Sequence, residues 1–131
     1  MPRKTPLAAV CSIATSFYAG PGKSFIELVR ESGVEDCGAA FTSDALIPLL
    51  QADPALIEGW LLWSMNKRTS SGWYFQRAQG AYVVGFYPDG EPLRFEDASR
   101  GCAEFIIREV GQVMRSNQRL ERPVTPNSDA P

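Results

Sequence analysis

The first half of the chain has the hydrophobic periodicity of α-helices. In the first segment apolar residues recur at spacings of three and four, Thr5 stands at the cap position and Pro6 at the first helical position. These features predict one helix that continues to about Tyr18. Because two basic residues precede the apolar stretch at residues 7–14, a short secretory signal is the alternative interpretation of this segment.

A second helix is predicted from a capping box. Ser24 and Glu27 form the S-x-x-E pattern that satisfies the first backbone N–H groups of a helix, and Gly33 is a suitable end. Residues 34–42 lack a clear apolar period. We therefore expect them to form a loop.

Two further helices complete the predicted N-terminal half. One begins at Ser43 or Asp44 and contains Pro48, which is expected to kink or shorten it. The other begins after the cap-plus-proline pair 53–54 and runs to about Met65. Apolar residues nearly encircle this last helix, so we expect it to lie centrally in the fold.

The pattern changes to that of strands after residue 66. Residues 67–72 read as a polar connector, and the segments GWYFQR and AYVVGFY alternate as two strands of a hairpin that turns near residues 78–80. A turn at residues 88–90 and a short edge strand at residues 92–95 are predicted to follow. Asp97 is expected to cap a final helix whose inner stripe comprises Ala98, Cys102, Phe105, Ile106, Val110 and Val113.

These elements define the predicted fold class. We expect an α+β protein with a helical N-terminal half, a small antiparallel sheet of two to three strands, and a C-terminal helix packed on that sheet. Residues 1–122 are predicted to form a single domain, and residues 123–131, which have no apolar period, a flexible tail.

Composition narrows the classes of function. The 131 residues include no histidine, and no apolar run approaches the roughly 20 residues of a membrane helix. The net charge of −2 argues against a protein that binds nucleic acid through its overall field. Three cysteines cannot all pair within one chain, so we expect Cys11, Cys37 and Cys102 to be buried free thiols of a cytoplasmic protein.

The same composition disfavours an enzyme. Without histidine the chain lacks histidine-based triads and the commonest zinc sites, and we expect neither a cofactor nor a metal. Carboxylate pairs of the kind that performs acid–base work, such as residues 96–97, fall at turns and caps, where acidic residues have ordinary structural roles. A small carboxylate-dependent enzyme stays the least favoured alternative.

Charge is distributed unevenly along the chain. Residues 27–58 contain seven acidic side chains and a single basic one, whereas nine of the thirteen basic residues follow position 66. One interpretation is that of ordinary solvated helix faces and caps. The other is a docking surface for a basic partner, and its predicted partner-binding residues are Glu35, Asp36, Asp44 and Asp53.

A second candidate surface precedes and enters the first strand. Lys67 and Arg68 lie shortly before Trp73 in the sequence NKRTSSGWYF. Tryptophan, tyrosine and arginine dominate binding hot spots, so these residues are predicted to form a secondary binding edge. The alternative is that the rings of the hairpin simply cover the helical core.

The order of these segments resembles a known class of proteins. A helical N-terminal half, then WSMNKRTSSGWYF at residues 63–75, then YVVGFYPDGEPLRFEDASRGCAEFIIREV at residues 82–110, is similar to small bacterial immunity proteins encoded beside contact-dependent or other polymorphic toxins. The resemblance implies a catalytically inert, cytoplasmic, single-domain protein that neutralises one cognate toxin domain, often a nuclease. It assigns no binding residue.

The residues and the resemblance lead to one hypothesis. The chain is expected to be a non-catalytic immunity protein whose acidic surface binds a basic toxin domain, and we expect neither nucleic acid nor a membrane as a partner. The alternative is an adaptor or regulatory subunit of another complex. The toxin, the stoichiometry and the oligomeric state are left open by the sequence.

Overall fold

A computed structural model describes residues 5–19, 22–66, 72–87 and 91–121, and it confirms the α+β class with its helical N-terminal half. The tail at residues 123–131, most of the connector and the turn at residues 88–90 lie outside the described residues. The helices are α1 (Pro6–Cys11), α2 (Ile13–Ala19), α3 (Phe25–Ser32), α4 (Ser43–Ala52), α5 (Ala55–Asn66) and α6 (Ala98–Glu121), and the strands are β1 (Gly72–Ala78), β2 (Ala81–Tyr87) and β3 (Leu93–Phe95).

The first helix is interrupted, so the prediction of one continuous helix to Tyr18 is wrong. Thr5 does cap α1, its hydroxyl accepting from the backbone N–H of Ala8 at 3.2 Å. At Ser12, however, the hydroxyl donates back to the carbonyl of Ala9 at 3.0 Å, and the Ser12 N–H donates to the same carbonyl at 3.1 Å. A serine that bonds its own preceding turn competes with regular helical pairing, and Ser12 leaves the helical conformation with φ −98° and ψ 8°.

The capping box and the end of α3 are confirmed. The Ser24 hydroxyl accepts from the N–H of Glu27 at 3.1 Å, and the Glu27 carboxylate accepts from the N–H of Ser24 at 2.9 Å. Gly33 ends the helix with a left-handed φ of 80°. The segment predicted as a loop contains two short 3₁₀ turns, Val34–Asp36 and Gly38–Ala40. The side chain of Val34 is buried in the core.

Helix α4 accommodates its proline. Thr42 caps the helix by accepting from the N–H of Ala45 at 3.2 Å, one residue before the predicted start. Pro48 lies inside the helix, which continues to Ala52. Proline has no backbone N–H, so Pro48 cannot donate to the carbonyl of Asp44 as a regular helix residue would. Both residues are exposed, so that carbonyl lies on the side of the helix that faces water.

The predicted hairpin and edge strand form a three-stranded antiparallel sheet in the order β1-β2-β3. Gln79 and Gly80, with φ values of 51° and 78°, make the two-residue turn between β1 and β2, because left-handed turns of this kind match the twist of paired strands. Helix α6 begins at its predicted cap, where Asp97 accepts from the N–H of Ser99 at 3.0 Å. It packs on the sheet through Phe105, which stacks on Phe75 with ring centroids 5.6 Å apart.

Trp60 of α5 connects the helices at the centre of the core. Its side chain is fully buried, and its indole Nε1 donates to the carbonyl of Cys11 at 2.8 Å. Its ring lies edge-on to Phe25 of α3 and to Phe105 of α6. The central position predicted for α5 therefore holds for this side of the helix, whereas Leu62 and Met65 on another side are 39% and 71% exposed.

We predict that Trp60→Phe destabilises the fold although it keeps an aromatic ring. The substitution removes the only N–H of the side chain and leaves the buried Cys11 carbonyl without this donor, a loss of about 1–3 kcal/mol before any cavity is counted. Denaturant unfolding followed by circular dichroism measures the change. Leu62→Ala, on the exposed side of α5, serves as the control and should change stability by less than about 1 kcal/mol. Equal losses in the two variants would contradict the role given to Trp60.

Candidate functional site

The predicted acidic residues at positions 35, 36 and 44 fall within one stretch of ten residues. Glu35 and Asp36 are in the first 3₁₀ turn, and Asp44 is in the first turn of α4. All three side chains are exposed. None of them forms an ion pair within the part of the chain that the structure describes. We call Glu35, Asp36 and Asp44 the acidic segment.

Acidic residues elsewhere in the helices are engaged within the protein. Glu31 accepts from Lys23 at 2.7 Å, and Glu104 pairs with Arg108 one helical turn away at 2.6 Å. Glu58 of α5 pairs with Arg77 of β1. The acidic segment differs from these residues because its negative charges have no compensating partner among the described residues.

A cleft adjoins the acidic segment. It has a volume of about 300 Å³ and lies between the two 3₁₀ turns and the second half of α6. One charged side chain stands on each side, Glu35 on the turns and Arg115 on the helix. The remaining lining is apolar or glycine: Val34, Gly38, Phe41, Ile107, Gly111 and Met114.

The fourth predicted acidic residue lies elsewhere. Asp53 follows the C-terminus of α4, and Asp44 is in the first turn of that helix. At 1.5 Å per residue the two positions are about 13 Å apart along the helix axis. Asp53 therefore marks the opposite end of α4 from the cleft, and its assignment to a partner surface stays a prediction.

Trp73 is packed against the protein instead of standing free. Its side chain is half-buried, its ring lies edge-on to Phe86 with centroids 5.0 Å apart, and the Arg108 guanidinium lies 4.9 Å above it. This arrangement fits the alternative in which hairpin rings cover the core. Lys67 and Arg68 lie outside the described residues, so the predicted secondary edge stays a prediction.

A second groove runs between α5 and β1. Its volume is about 460 Å³ and its lining comprises Leu61, Ser64, Met65, Tyr74, Phe75, Gln76 and Arg77. The Ser64 hydroxyl accepts from the N–H of Phe75 at 2.7 Å, which ties the helix to the outer edge of the sheet. Arg77 is the charged residue of this lining, and it already pairs with Glu58 of α5.

The cysteines occupy two kinds of environment. Cys11 and Cys102 are buried as predicted, whereas Cys37 is only half-buried, so the expectation of three buried thiols is wrong for Cys37. Burial raises the pKa of Cys11 to about 12 and raises that of Cys102 well above its ordinary value. The pKa of Cys37 is also raised, by burial first and by the neighbouring Asp36 carboxylate second. These shifts disfavour a thiolate nucleophile.

Several residues that shape this region were missed by the sequence analysis. Glu109 is 5% exposed, and its carboxylate accepts from the Nε1 of Trp63 at 2.9 Å. No local signal identifies that pair, because its members are 46 positions apart. The cleft residues Ile107, Gly111 and Met114 did carry a signal: they recur at spacings of four and three, beside the inner stripe of α6 that was identified.

Neither a metal centre, nor a membrane-spanning helix, nor a similar known protein identifies the site among the described residues. Among the described residues no group of three or more His, Cys, Asp and Glu side chains is placed to hold a metal ion. No single helix within those residues combines the length and apolar character needed to cross a membrane; α4 and α5 do so only when taken together, and the chain bends by 114° between them. No family model, curated protein or solved structure matches the chain.

The raised pKa of Cys37 makes its reactivity a test of the acidic segment. Less thiolate is present at any pH below the raised pKa, so we expect iodoacetamide at pH 8 to modify Cys37 more slowly than a cysteine in a short peptide. Asp36→Asn removes the negative charge and should increase the rate. Asp44→Asn is the control and should leave the rate unchanged. An Asp36→Asn rate equal to that of the wild type would contradict the proposed electrostatic contact; mass spectrometry locates the modified thiol.

Proposed function

We propose that the protein is a non-catalytic immunity protein that binds and neutralises a basic toxin domain in the cytoplasm of the producing cell. One observation carries this proposal. The acidic segment presents three exposed carboxylates within ten residues that form no ion pair among the described residues, whereas Glu31, Glu58 and Glu104 are each paired with a base.

Physical chemistry favours a partner surface over a purely structural role for these charges. Three like charges within ten residues repel one another and contribute no ion pair to the fold. A basic partner would relieve that repulsion, and its long-range attraction would accelerate association and reject acidic proteins. Many toxin domains of the class that the sequence resembles act on nucleic acid, and a nuclease cleft that binds phosphates is itself basic.

The first experiment tests protection directly. The C-terminal domain encoded by the reading frame immediately upstream of this gene would be expressed in bacteria with and without this protein, and survival and co-purification would be scored. Rescue together with a stable complex would support immunity. Toxicity without rescue, or the absence of both toxicity and a complex, would overturn the proposal in favour of the adaptor alternative, and the native partner would then be sought by pull-down.

We predict that reversing two charges of the acidic segment weakens this complex. Glu35→Lys combined with Asp36→Lys should reduce affinity for the toxin domain by about tenfold or more, because close charge pairs across an interface are strongly coupled. The same variant should make affinity less sensitive to salt, since screened attraction is what it removes. Isothermal titration calorimetry at two salt concentrations measures both effects.

The chain provides a matched control for this variant. Glu91 and Glu96 are exposed and form no ion pair within the described residues, and they lie before β3 and before α6. Glu91→Lys combined with Glu96→Lys alters the net charge by the same amount. Equal weakening by the two double variants would show that only net charge matters and would remove the acidic segment as the binding surface.

A further inference from the structure

Three glycines lie inside described helices, and two of them are explained by close packing. A Cβ atom on Gly59 of α5 would lie 2.7 Å from the Oγ1 of Thr15, where α2 crosses it. A Cβ atom on Gly101 of α6 would lie 3.2 Å from both the Phe75 ring and the Cβ of Tyr82. Glycine lets another element approach the helix at these two positions.

Gly111 has no such explanation. It lies in the middle of α6, where glycine is less favourable than alanine because it leaves more backbone freedom to be lost on folding. The nearest atom to a Cβ placed there would be the Nη1 of Arg115 at 3.4 Å, the end of a flexible side chain of the same helix. No other element among the described residues requires the space, and that space is the floor of the cleft beside the acidic segment.

The walls of the cleft indicate what would fill it. Val34, Phe41, Ile107 and Met114 offer apolar surface, and a volume of about 300 Å³ accommodates one large apolar side chain. Glu35 lies at the rim and Asp36 follows it, both exposed and without an ion pair among the described residues. An apolar pocket with unpaired carboxylates beside it complements an apolar side chain flanked by lysine or arginine.

We infer that this cleft is the anchor pocket for the partner: it receives one large apolar or aromatic side chain of a basic protein, and Glu35 and Asp36 meet the cations beside that side chain. Buried apolar anchors dominate the energy of protein interfaces, while charges at the rim direct approach and specificity. The inference deepens the proposed function and rests on it for the identity of the partner. The chemistry of the pocket can be tested without the partner.

A second copy of this chain is a poorer occupant. Two copies related by a two-fold axis would bring the same surface of each into one contact, so both acidic segments would lie in that contact and repel each other. Among the described residues the cleft lining itself holds one acid, Glu35, and one base, Arg115, and the further exposed carboxylates of Asp36 and Asp44 lie in the same segment as Glu35. Charge complementarity therefore favours a basic partner, and sedimentation of the isolated protein should show no self-association that depends on Gly111.

The first test uses two small probes on the isolated protein. Phenethylammonium and 3-phenylpropionate share a phenyl ring and carry opposite charges. In a titration of ¹⁵N-labelled protein, phenethylammonium should shift the amide signals of Val34, Gly38 and Gly111 saturably, with an affinity at least about threefold above that of 3-phenylpropionate. Glu35→Gln combined with Asp36→Asn should remove that preference while keeping the shifts. Absence of saturable shifts at the cleft, or equal affinity for the two probes, would overturn the inference.

The second test fills the cleft. Gly111→Leu places an apolar side chain on the cleft floor, where the Nη1 of the flexible Arg115 side chain is the nearest atom to the new Cβ at 3.4 Å, and it raises helix propensity, so the melting temperature should be unchanged or higher. The shifts caused by phenethylammonium should disappear. Gln112→Leu adds the same side chain at the next position of α6, outside the cleft lining, and should leave the probe titration unchanged. Binding of the probe to Gly111→Leu as to the wild type would overturn the inference.

The toxin domain then separates this inference from the proposed function. Gly111→Leu should reduce its affinity by at least about tenfold, as expected for loss of an anchor, while Gln112→Leu should not. If the domain binds Gly111→Leu as tightly as the wild type, the cleft is not the anchor although immunity stands. If the domain binds neither Gly111→Leu nor the wild type, immunity is overturned. The probe titrations alone then decide whether the cleft binds apolar cations.

Discussion

The hydrogen bond from the Trp60 indole to the Cys11 carbonyl is the contact on which the arrangement of the helices depends. The break at Ser12 interrupts the helix between α1 and α2, and the carbonyl of the buried Cys11 beside it needs a donor that the regular helix does not supply. Trp60 supplies it, and the same ring contacts Phe25 of α3 and Phe105 of α6. One side chain thus sets α3, with the acidic turn that follows it, relative to α6, and the cleft lies between that turn and α6.

The elements that sequence analysis predicted well are those whose signals are local. The caps at Thr5, Ser24 and Asp97 depend on residues two or three positions away, and the hairpin depends on alternation within each strand and a two-residue turn. The break at Ser12 was not predicted, because a serine in an apolar period is compatible with a continuous helix until a distant tryptophan takes the neighbouring carbonyl. The Trp63–Glu109 pair was missed for the same reason.

The candidate site likewise combines residues that the sequence alone could indicate with residues that it could not. Glu35 and Asp36 could be selected as candidates from the charge distribution, because a run of acids with few bases nearby is visible in the sequence itself. The cleft beside them could not, since its other wall comes from residues 107–115, about 70 positions later in the chain. Trp73 was proposed from its residue type beside two cations; its ring packs against Phe86 and Arg108, and its assignment to a binding edge stays a prediction.

The apolar cleft and the uncompensated carboxylates would each make a poor interface alone. Exposed charges attract any basic surface but add little affinity, because water and salt screen them. An apolar pocket adds affinity but discriminates weakly among apolar side chains of similar size. On the proposed function, the carboxylates would select for cations while the pocket would require an apolar group between them, so only a partner with both features would gain the full interaction. Gly111 links the pocket to the stability of the fold. A larger side chain at this position would favour the helix but would fill the pocket.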